Sequence, residues 1–473
     1  MSASHFKNLV EKGNPVGEVI AVERFLVTVN GLQPAPVNAL IMFEDGSKGM
    51  VYQVLEDRVV ILHLGTRTLR IGAAAVMQHD ELVSKVGSDF IGRVVSVFGE
   101  PLDGKGPIAA DAVWPVFNPA PSLISRQQLD TQFETGLTII DALFPLSYGQ
   151  RIAILGDSKS GKTTMSTQVA INQRGTEKIT IYALIGKRRA DVTMLLNRLT
   201  ENDALDNTII IVSTMFDSLI ATYLAPYVAA SMAEHLWQTQ NRDCLIIYDD
   251  LTSHAYAYRE ISLLAGVSPG RDSFPGDMFF AHSSLLERAG RLSANGKTLT
   301  QLPMVLAPGG DITAYLPTNI MSITDGQIIL DMDIFRDGVR PAVNTGLSVS
   351  RVGGVGHNSR QKAQGVETMK ALARYRETEE FSHFGSEMAL GAKRDIERGK
   401  LVFEIVSQKP GEYFSVMDQQ LMLQIILDWD GQVLDVEKMK AEVGALSKTI
   451  ETDEQFEAAK AQLLAKVTIE MKK

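Results

Sequence analysis

Residues 151–163 read RIAILGDSKSGKT, an apolar run that ends at Gly156 and opens into a polar stretch closed by Gly161, Lys162 and Thr163. The spacing Gly-x-x-x-x-Gly-Lys-Thr is that of a phosphate-binding loop. Successive backbone N–H groups in such a loop point at phosphate oxygens, and the following helix presents its positive end. Gly156 and Gly161 permit the backbone turns, Lys162 reaches the outer phosphates, and the Thr163 hydroxyl can ligate Mg²⁺. Asp157, Ser158, Lys159, Ser160 and Thr164 complete the expected contacts to bound ATP or ADP. The context agrees, because RIAIL is strand-like and TTMSTQVAINQ, residues 163–173, has the pattern of a helix.

Further apolar runs follow at KITIYALIG, NTIIIVST, CLIIYDD and MVLAPG, separated by amphipathic segments of helix length. Continuous apolar runs alternating with helices predict a parallel sheet covered on both faces. The run Leu245-Ile-Ile-Tyr-Asp249-Asp250 places an acid at the carboxyl end of a buried strand, where it would stand beside the hydration shell of Mg²⁺. Asp249 is the expected residue, and Asp250, one step on, would point away if the strand persists. Apolar runs that end in Asp also occur at helix N-caps, so this motif gains its meaning from the phosphate loop before it.

Before the loop, residues 16 to about 80 read as short strands separated by Gly, Asn and Asp, the pattern of a small β-barrel. SVFGEPLDGKGPI, residues 96–108, reads as a linker. After about 360, ETMKALARYRETEEFSHF, EMALGAKRDIERGKLVFEIV and the Lys/Glu-rich tail carry helical periodicity. The expected organisation is multidomain: an N-terminal β-barrel over 1–80, a P-loop α/β nucleotide-binding domain over 81–360 and a C-terminal α-helical bundle over 361–473.

The bulk composition excludes several classes. No run approaches the roughly 20 apolar residues that span a bilayer, and MSASHFKNLVEKGNP has neither a signal core nor the Arg-rich pattern of a transit peptide. The protein therefore reads as soluble, which leaves docking on a membrane complex open. A net charge of −10 argues against nucleic acid as a partner. The single cysteine, Cys244, excludes an internal disulfide framework and lies in an apolar run that predicts burial. Eight histidines without metal-ligand spacing give no basis for a protein-ligated structural metal.

Four long segments carry a resemblance: LIIYDDLTSHAYAYREISLL, SPGRDSFPGDMFFAHSSLLERAGRL, DITAYLPTNIMSITDGQIIL and RPAVNTGLSVSRVGG. In these, in this order, the protein resembles the alpha subunit of F-type ATP synthases over almost its whole length. The resemblance implies a RecA-like central domain and a hexamer of alternating alpha and beta subunits around a rotating gamma shaft. It also implies a delta subunit of the peripheral stalk as a partner, and a peripheral place on the cytoplasmic face of a bacterial cell membrane. In that family the catalytic beta subunit has a Glu directly after the Gly that ends the strand following the P-loop helix. Here that strand runs to Gly186 and the next residue is Lys187, where alpha subunits usually have Gln. A lysine cannot act as the carboxylate that positions water.

The resemblance gives Ser348-Val-Ser-Arg351 the role of presenting an arginine finger, Arg351, to the neighbouring beta site. A planar guanidinium can make paired hydrogen bonds to the transferring phosphoryl group and offset its developing charge. It also places residues 268–277, SPGRDSFPGD, in the sleeve around the shaft, makes Gln132 and Arg340 ring contacts, and sets Gln408 where the family has adenine-pocket glutamines. SQKPGEYFSV, around Gln408, is two residues longer than the family pattern.

Three departures stand out. Ser158-Lys159-Ser160 replaces the family's Arg-Gln-Thr, and Lys159 with Lys187 is expected to raise affinity for a nucleotide held without turnover. The segment before the first barrel strand is short for a stator-docking helix, and the C-terminal bundle is shorter than usual. The reading that follows is a regulatory subunit that holds Mg-ATP and donates Arg351 during proton- or sodium-driven ATP synthesis and hydrolysis. The alternatives are a stand-alone hexameric P-loop ATPase motor of secretion type, which would need its own catalytic Glu, and a structural ring member with an empty pocket.

Overall fold

The computed structural model describes residues 2–65, 68–382 and 390–469. The protein divides into two units, one formed by Met1–Arg126 with Gly175–Met304 and the other by Gln127–Arg174 with Val305–Lys473. The expected central domain, 81–360, contributes to both units.

The first unit begins with a helix, Ser2–Glu11, whose Phe6 and Leu9 pack on Met42 and Val76. Six strands follow: β1 (Val16–Glu23), β2 (Leu26–Asn30), β3 (Leu40–Phe43), β4 (Lys48–Val54), β5 (Arg58–His63) and β6 (Ala74–His79). They close into the barrel expected from the sequence, in the order β1-β2-β5-β4-β3-β6 with β6 returning to β1. Closure leaves no unpaired edge, and Val19, Val27, Val29, Ile41, Phe43, Val59 and Ile61 fill the interior.

Residues 96–108 are not the loose linker that their Gly, Pro and Asp content suggested. Asp103 accepts from Arg93 Nε at 2.7 Å and from the backbone N–H groups of Val94 and Lys105 at 3.1 and 3.0 Å. The Arg93 guanidinium holds the Asp103 carboxyl well below the usual carboxylate range. One ion pair, largely shielded from solvent, makes a turn-rich sequence into a fixed loop.

Parallel strands follow in the spatial order Thr298–Leu306, Cys244–Asp249, Ile179–Lys187, Thr208–Thr214 and Val94–Ser96. Their interiors are continuously apolar, as burial on both faces requires, and Cys244 is buried among them. The helix Leu219–Thr239, capped by Ser218 through the Ala221 N–H, is buried over most of its length. That burial includes a charge: Glu234 takes Arg288 Nε at 2.6 Å and a second guanidinium nitrogen at 2.7 Å. Trp114 Nε1 and Asn118 Nδ2 donate to the same carboxylate, at 3.1 and 3.0 Å. Arg288 also donates to the Val116 carbonyl, so both charges are fully paired where neither meets solvent.

In the second unit, strand Ala153–Gly156 runs parallel to Gly326–Leu330, and Val349–Ser350 pairs antiparallel with Gly326 and Gln327. Helices Ser359–Ser382, Leu390–Val406, Val416–Leu427, Val436–Ser447 and Asp453–Val467 form the expected C-terminal helical region. The part of that expectation that falls on residues 383–389 lies outside the described residues. Capping boxes at Ser415 with Asp418 and at Thr452 with Gln455 start two of these helices.

Removing one partner of a buried, hydrogen-bonded ion pair leaves an uncompensated charge. Glu234→Ala is therefore expected to destabilise the protein by about 3–5 kcal/mol, read as a lower urea midpoint. A change under about 1 kcal/mol would mean that the pair contributes no more than a surface one.

Candidate nucleotide-binding site

The phosphate loop belongs to the second unit. Gly156 ends a buried strand in register with Leu330. A Cβ there would lie 2.6 Å from Ser160 Oγ and 2.8 Å from the Leu330 carbonyl oxygen, so the turn admits only glycine. Gly161, at φ 99°, occupies left-handed backbone and is the N-cap of helix Lys162–Asn172, which has no side-chain cap. The positive end of that helix dipole therefore faces the loop without a side-chain cap, as a phosphate site requires.

Asp157 braces the loop. One carboxylate oxygen accepts from the Ser158 N–H at 2.6 Å and the other from the Gly309 N–H at 3.0 Å. The Ala307 N–H donates to the Gly156 carbonyl at 3.0 Å. Lys162 Nζ folds back onto the carbonyls of Gly156 and Asp157, at 2.8 and 2.7 Å, a pair of neutral acceptors that a phosphate would outcompete. Ser158, Lys159 and Thr163 are exposed, Thr164 is half-buried, and the Ser160 hydroxyl is buried without a hydrogen-bond partner.

Gln408 is buried, 2% exposed, and its amide is committed to backbone. Its Oε1 accepts from the Thr138 N–H at 2.6 Å, and its Nε2 donates to the carbonyls of Gly136 and Glu412 at 2.9 and 3.1 Å. The loop after Gln408 meets the P-loop helix, because Gln168 Nε2 donates to the Lys409 carbonyl at 3.2 Å. The same 135–138 turn holds Asp141, which accepts from the Thr135 N–H and hydroxyl, the Gly136 N–H and Gln419 Nε2.

Lys187, Asp249 and Asp250 lie in the first unit. Leu184 pairs with Asp249 across parallel strands, which brings the two strand ends together. Lys187 Nζ stands 2.5 Å from Asp249 Oδ1 and 2.7 Å from Asp250 Oδ2. The Lys187 ammonium is thus engaged by two carboxylates rather than left to solvent. Burial alone would lower its pKa, but the charges of the two carboxylates raise it above the usual lysine range.

Asp250 does not point away from Asp249, because the strand stops at Asp249. Asp250 is the N-cap of helix Leu251–Leu264, its Oδ1 accepting from the Ser253 N–H at 2.8 Å. The change from strand to helix turns both acids toward one lysine. The helix-capping use of an Asp at the end of an apolar run was the available signal in the sequence.

Arg351 is exposed at the end of the outer strand Val349–Ser350 in the second unit. Its guanidinium donates to the carbonyls of Thr324 and Met321, at 3.1 and 2.9 Å, near the carboxyl end of helix Tyr315–Ile323. Gln132 Oε1 accepts from Gln361 Nε2 at 2.7 Å, and the Arg340 guanidinium lies over the Phe335 ring. Residues 268–277 form a loop that is exposed except at Phe274 and Pro275, and in it the Gly270 N–H donates to Phe274 O at 2.7 Å.

Two domain families match the sequence: the nucleotide-binding domain of the ATP synthase alpha/beta family over residues 136–350, and the C-terminal domain of the same alpha/beta family over 361–471. ATP synthase subunit alpha of Thiobacillus denitrificans is 37% identical over an alignment covering 97% of this protein and 94% of that one. The protein belongs to the ATP synthase alpha-subunit family. The Acholeplasma laidlawii alpha subunit is 42% identical, covering 85% of this sequence and 81% of its own. A sodium ion specific alpha subunit from Acetobacterium woodii is 40% identical, covering 89% and 84%.

Membership in this family favours an ATP synthase subunit over a secretion-type motor, and it makes the phosphate loop part of an ATP/ADP-binding domain. No helix among the described residues is long and apolar enough to cross a membrane.

Asp141 supplies a pH test of the turn that anchors Gln408. Burial pushes its carboxyl up to about 6, above the roughly 3.9 of an unfolded Asp, despite its four donors. The folded protein keeps a proton that the unfolded one releases, so this group favours folding below about pH 4 and that contribution is lost as pH rises through about 6. Thermal melts between about pH 4.5 and 6.5 are expected to show the wild type losing stability relative to Asp141→Asn as pH rises. A constant difference across that range would contradict the shift.

Proposed function

We propose that this alpha subunit holds ATP or ADP without hydrolysing it and donates Arg351 to the active site of a neighbouring beta subunit. One observation carries the non-catalytic part. Where a hydrolysing site needs a free carboxylate to orient water, this protein has Lys187, engaged with Asp249 and Asp250 at 2.5 and 2.7 Å. An ammonium that is already paired neither accepts a proton from water nor positions it.

The phosphate loop supplies the binding side, through Gly156, Asp157, Ser158, Lys159, Ser160, Gly161, Lys162, Thr163 and Thr164. Where Mg²⁺ accompanies the nucleotide, we assign it to the phosphates and the Thr163 hydroxyl, and Asp249 remains the acid proposed for its hydration shell. Gln408 supports the site by fixing the 136–138 backbone beside the P-loop helix. Its part toward adenine is indirect on this reading.

The assembly we propose is an alternating alpha/beta hexamer, with a gamma shaft inside and a delta subunit on the peripheral stalk. It would sit on the cytoplasmic face of a bacterial membrane and couple ATP to proton or sodium movement. Arg351 suits the donated role because it is exposed and its guanidinium rests on neutral carbonyls, which a phosphoryl group would outcompete. The three-domain division at about 80 and 360 is the organisation we assign to the protein.

In a ring assembled with its beta subunits, Arg351→Ala is expected to lower ATP turnover by roughly 10³-fold or more. Nucleotide binding to this subunit, measured separately, should change by less than about threefold. Wild-type turnover in the variant ring would refute the donated arginine.

A further inference from the structure

Two histidines from different helices meet in the interior of the first unit. His254, on helix Leu251–Leu264, and His282, on helix Met278–Leu286, are 0% and 1% exposed. His254 Nδ1 and His282 Nε2 lie 3.1 Å apart, with the ring centroids at 5.2 Å. The remaining nitrogens, His254 Nε2 and His282 Nδ1, are buried and have no hydrogen-bond partner among the described residues. A hydrogen bond between two imidazoles needs a proton on one nitrogen and a bare lone pair on the other. The contact therefore holds while the accepting ring is neutral. Protonating both rings sets two N–H groups against each other across 3.1 Å.

The surroundings offer little to a positive ring. From helix Leu219–Thr239, Tyr223 stacks on His254 at 5.4 Å and Tyr227 meets it edge-on at 5.6 Å. Tyr258, one turn further along the helix of His254, stacks at 6.5 Å. The nearby acids are committed elsewhere. Asp277, the N-cap of the His282 helix, takes the Tyr258 hydroxyl at 2.7 Å, and Glu234 takes Arg288. Burial drives the pKa of both rings down, that of His282 to about 3, and for His254 the neighbouring His282 adds to the effect.

Helix Met278–Leu286 is held from one side. Met278, Ala281, His282, Leu285 and Leu286 are buried, whereas Phe279 and Phe280 are 43% and 69% exposed. Its polar ties to neighbouring helices include His282, the Asp277 cap and the Ala281 carbonyl, which accepts from Tyr227 at 3.2 Å.

We propose that the His254–His282 contact is an acid-labile latch, fastening helix Met278–Leu286 to helix Leu251–Leu264 at neutral pH and releasing it as the solution turns acid. The latch is independent of the nucleotide-holding reading. Its sign follows from linkage. A histidine whose folded pKa lies below its unfolded value of about 6.5 stabilises the closed state above that pH and loses this contribution as pH falls. The closed latch binds no proton at mildly acid pH and the open one binds up to two. Opening therefore becomes up to a hundredfold more favourable for each pH unit below about 6.

The test is amide hydrogen exchange in helix Met278–Leu286 of the full-length protein at about pH 6 and about pH 5, corrected for the intrinsic pH dependence of exchange. Wild type is compared with His254→Gln/His282→Gln. On acidification the opening constant is expected to rise at least tenfold more in wild type than in the double variant. A smaller ratio overturns the inference, because a pair that merely packs would shift the level of protection and not its dependence on pH. Thermal melts at neutral pH check that the double variant folds. If it does not, His282→Gln alone, which keeps an amide opposite His254 and removes one of the two protons, takes its place with an expected ratio of about threefold or more. The same pH dependence in that variant and in wild type overturns the latch.

Discussion

A single ammonium, Lys187, lies between two carboxylates where neighbouring parallel strands end, and the function proposed for the protein rests on it. Parallel register forces the neighbourhood: Leu184 opposite Asp249 leaves Lys187 three residues further on, where its side chain reaches back to both acids. With Gln there, Asp249 would keep its charge for a metal. With Glu there, three acids would crowd one strand edge, and a divalent ion would be needed to hold them together. Lys settles the charge within the fold. On the function proposed above, the same residue stands where a hydrolysing subunit carries its carboxylate.

The phosphate loop obeys a different constraint, that of space. Gly156 is fixed by the Ser160 hydroxyl and the Leu330 carbonyl, and Gly161 by its left-handed backbone. Asp157 then ties the loop to Gly309, and Lys162 waits on neutral carbonyls. These are features of a preorganised anion site, where a phosphate displaces weak acceptors and the backbone needs little reorganisation. Arg351 is held in the same way, by carbonyls, which leaves its charge available to a stronger acceptor.

Much of this was legible in the residues. Apolar runs marked the strands at 179–187, 208–214 and 244–249, and the glycine spacing marked the phosphate loop. What the sequence concealed were charges that are buried rather than solvated. Glu234 and Arg288 stand 54 positions apart in the sequence, yet they pair in the interior of the first unit. Gln408 and Thr138 are 270 positions apart, so no local pattern could reveal that the Gln408 amide is committed to backbone. Asp103 made a linker-like stretch into a fixed loop by pairing with Arg93. Asp250 turned on a boundary of one residue: the strand ended at Asp249, and a helix cap reversed the direction expected from strand alternation. In each case the missing information was three-dimensional proximity or an element end, the two quantities that periodicity specifies least.

The central claim is that this protein keeps ATP without cleaving it. The most direct measurement is the fate of labelled ATP bound at less than one equivalent to the purified full-length protein, separated by chromatography after prolonged incubation. The account predicts that the bound nucleotide is recovered as ATP. Conversion of the bound ATP to ADP and phosphate by the isolated protein would contradict it.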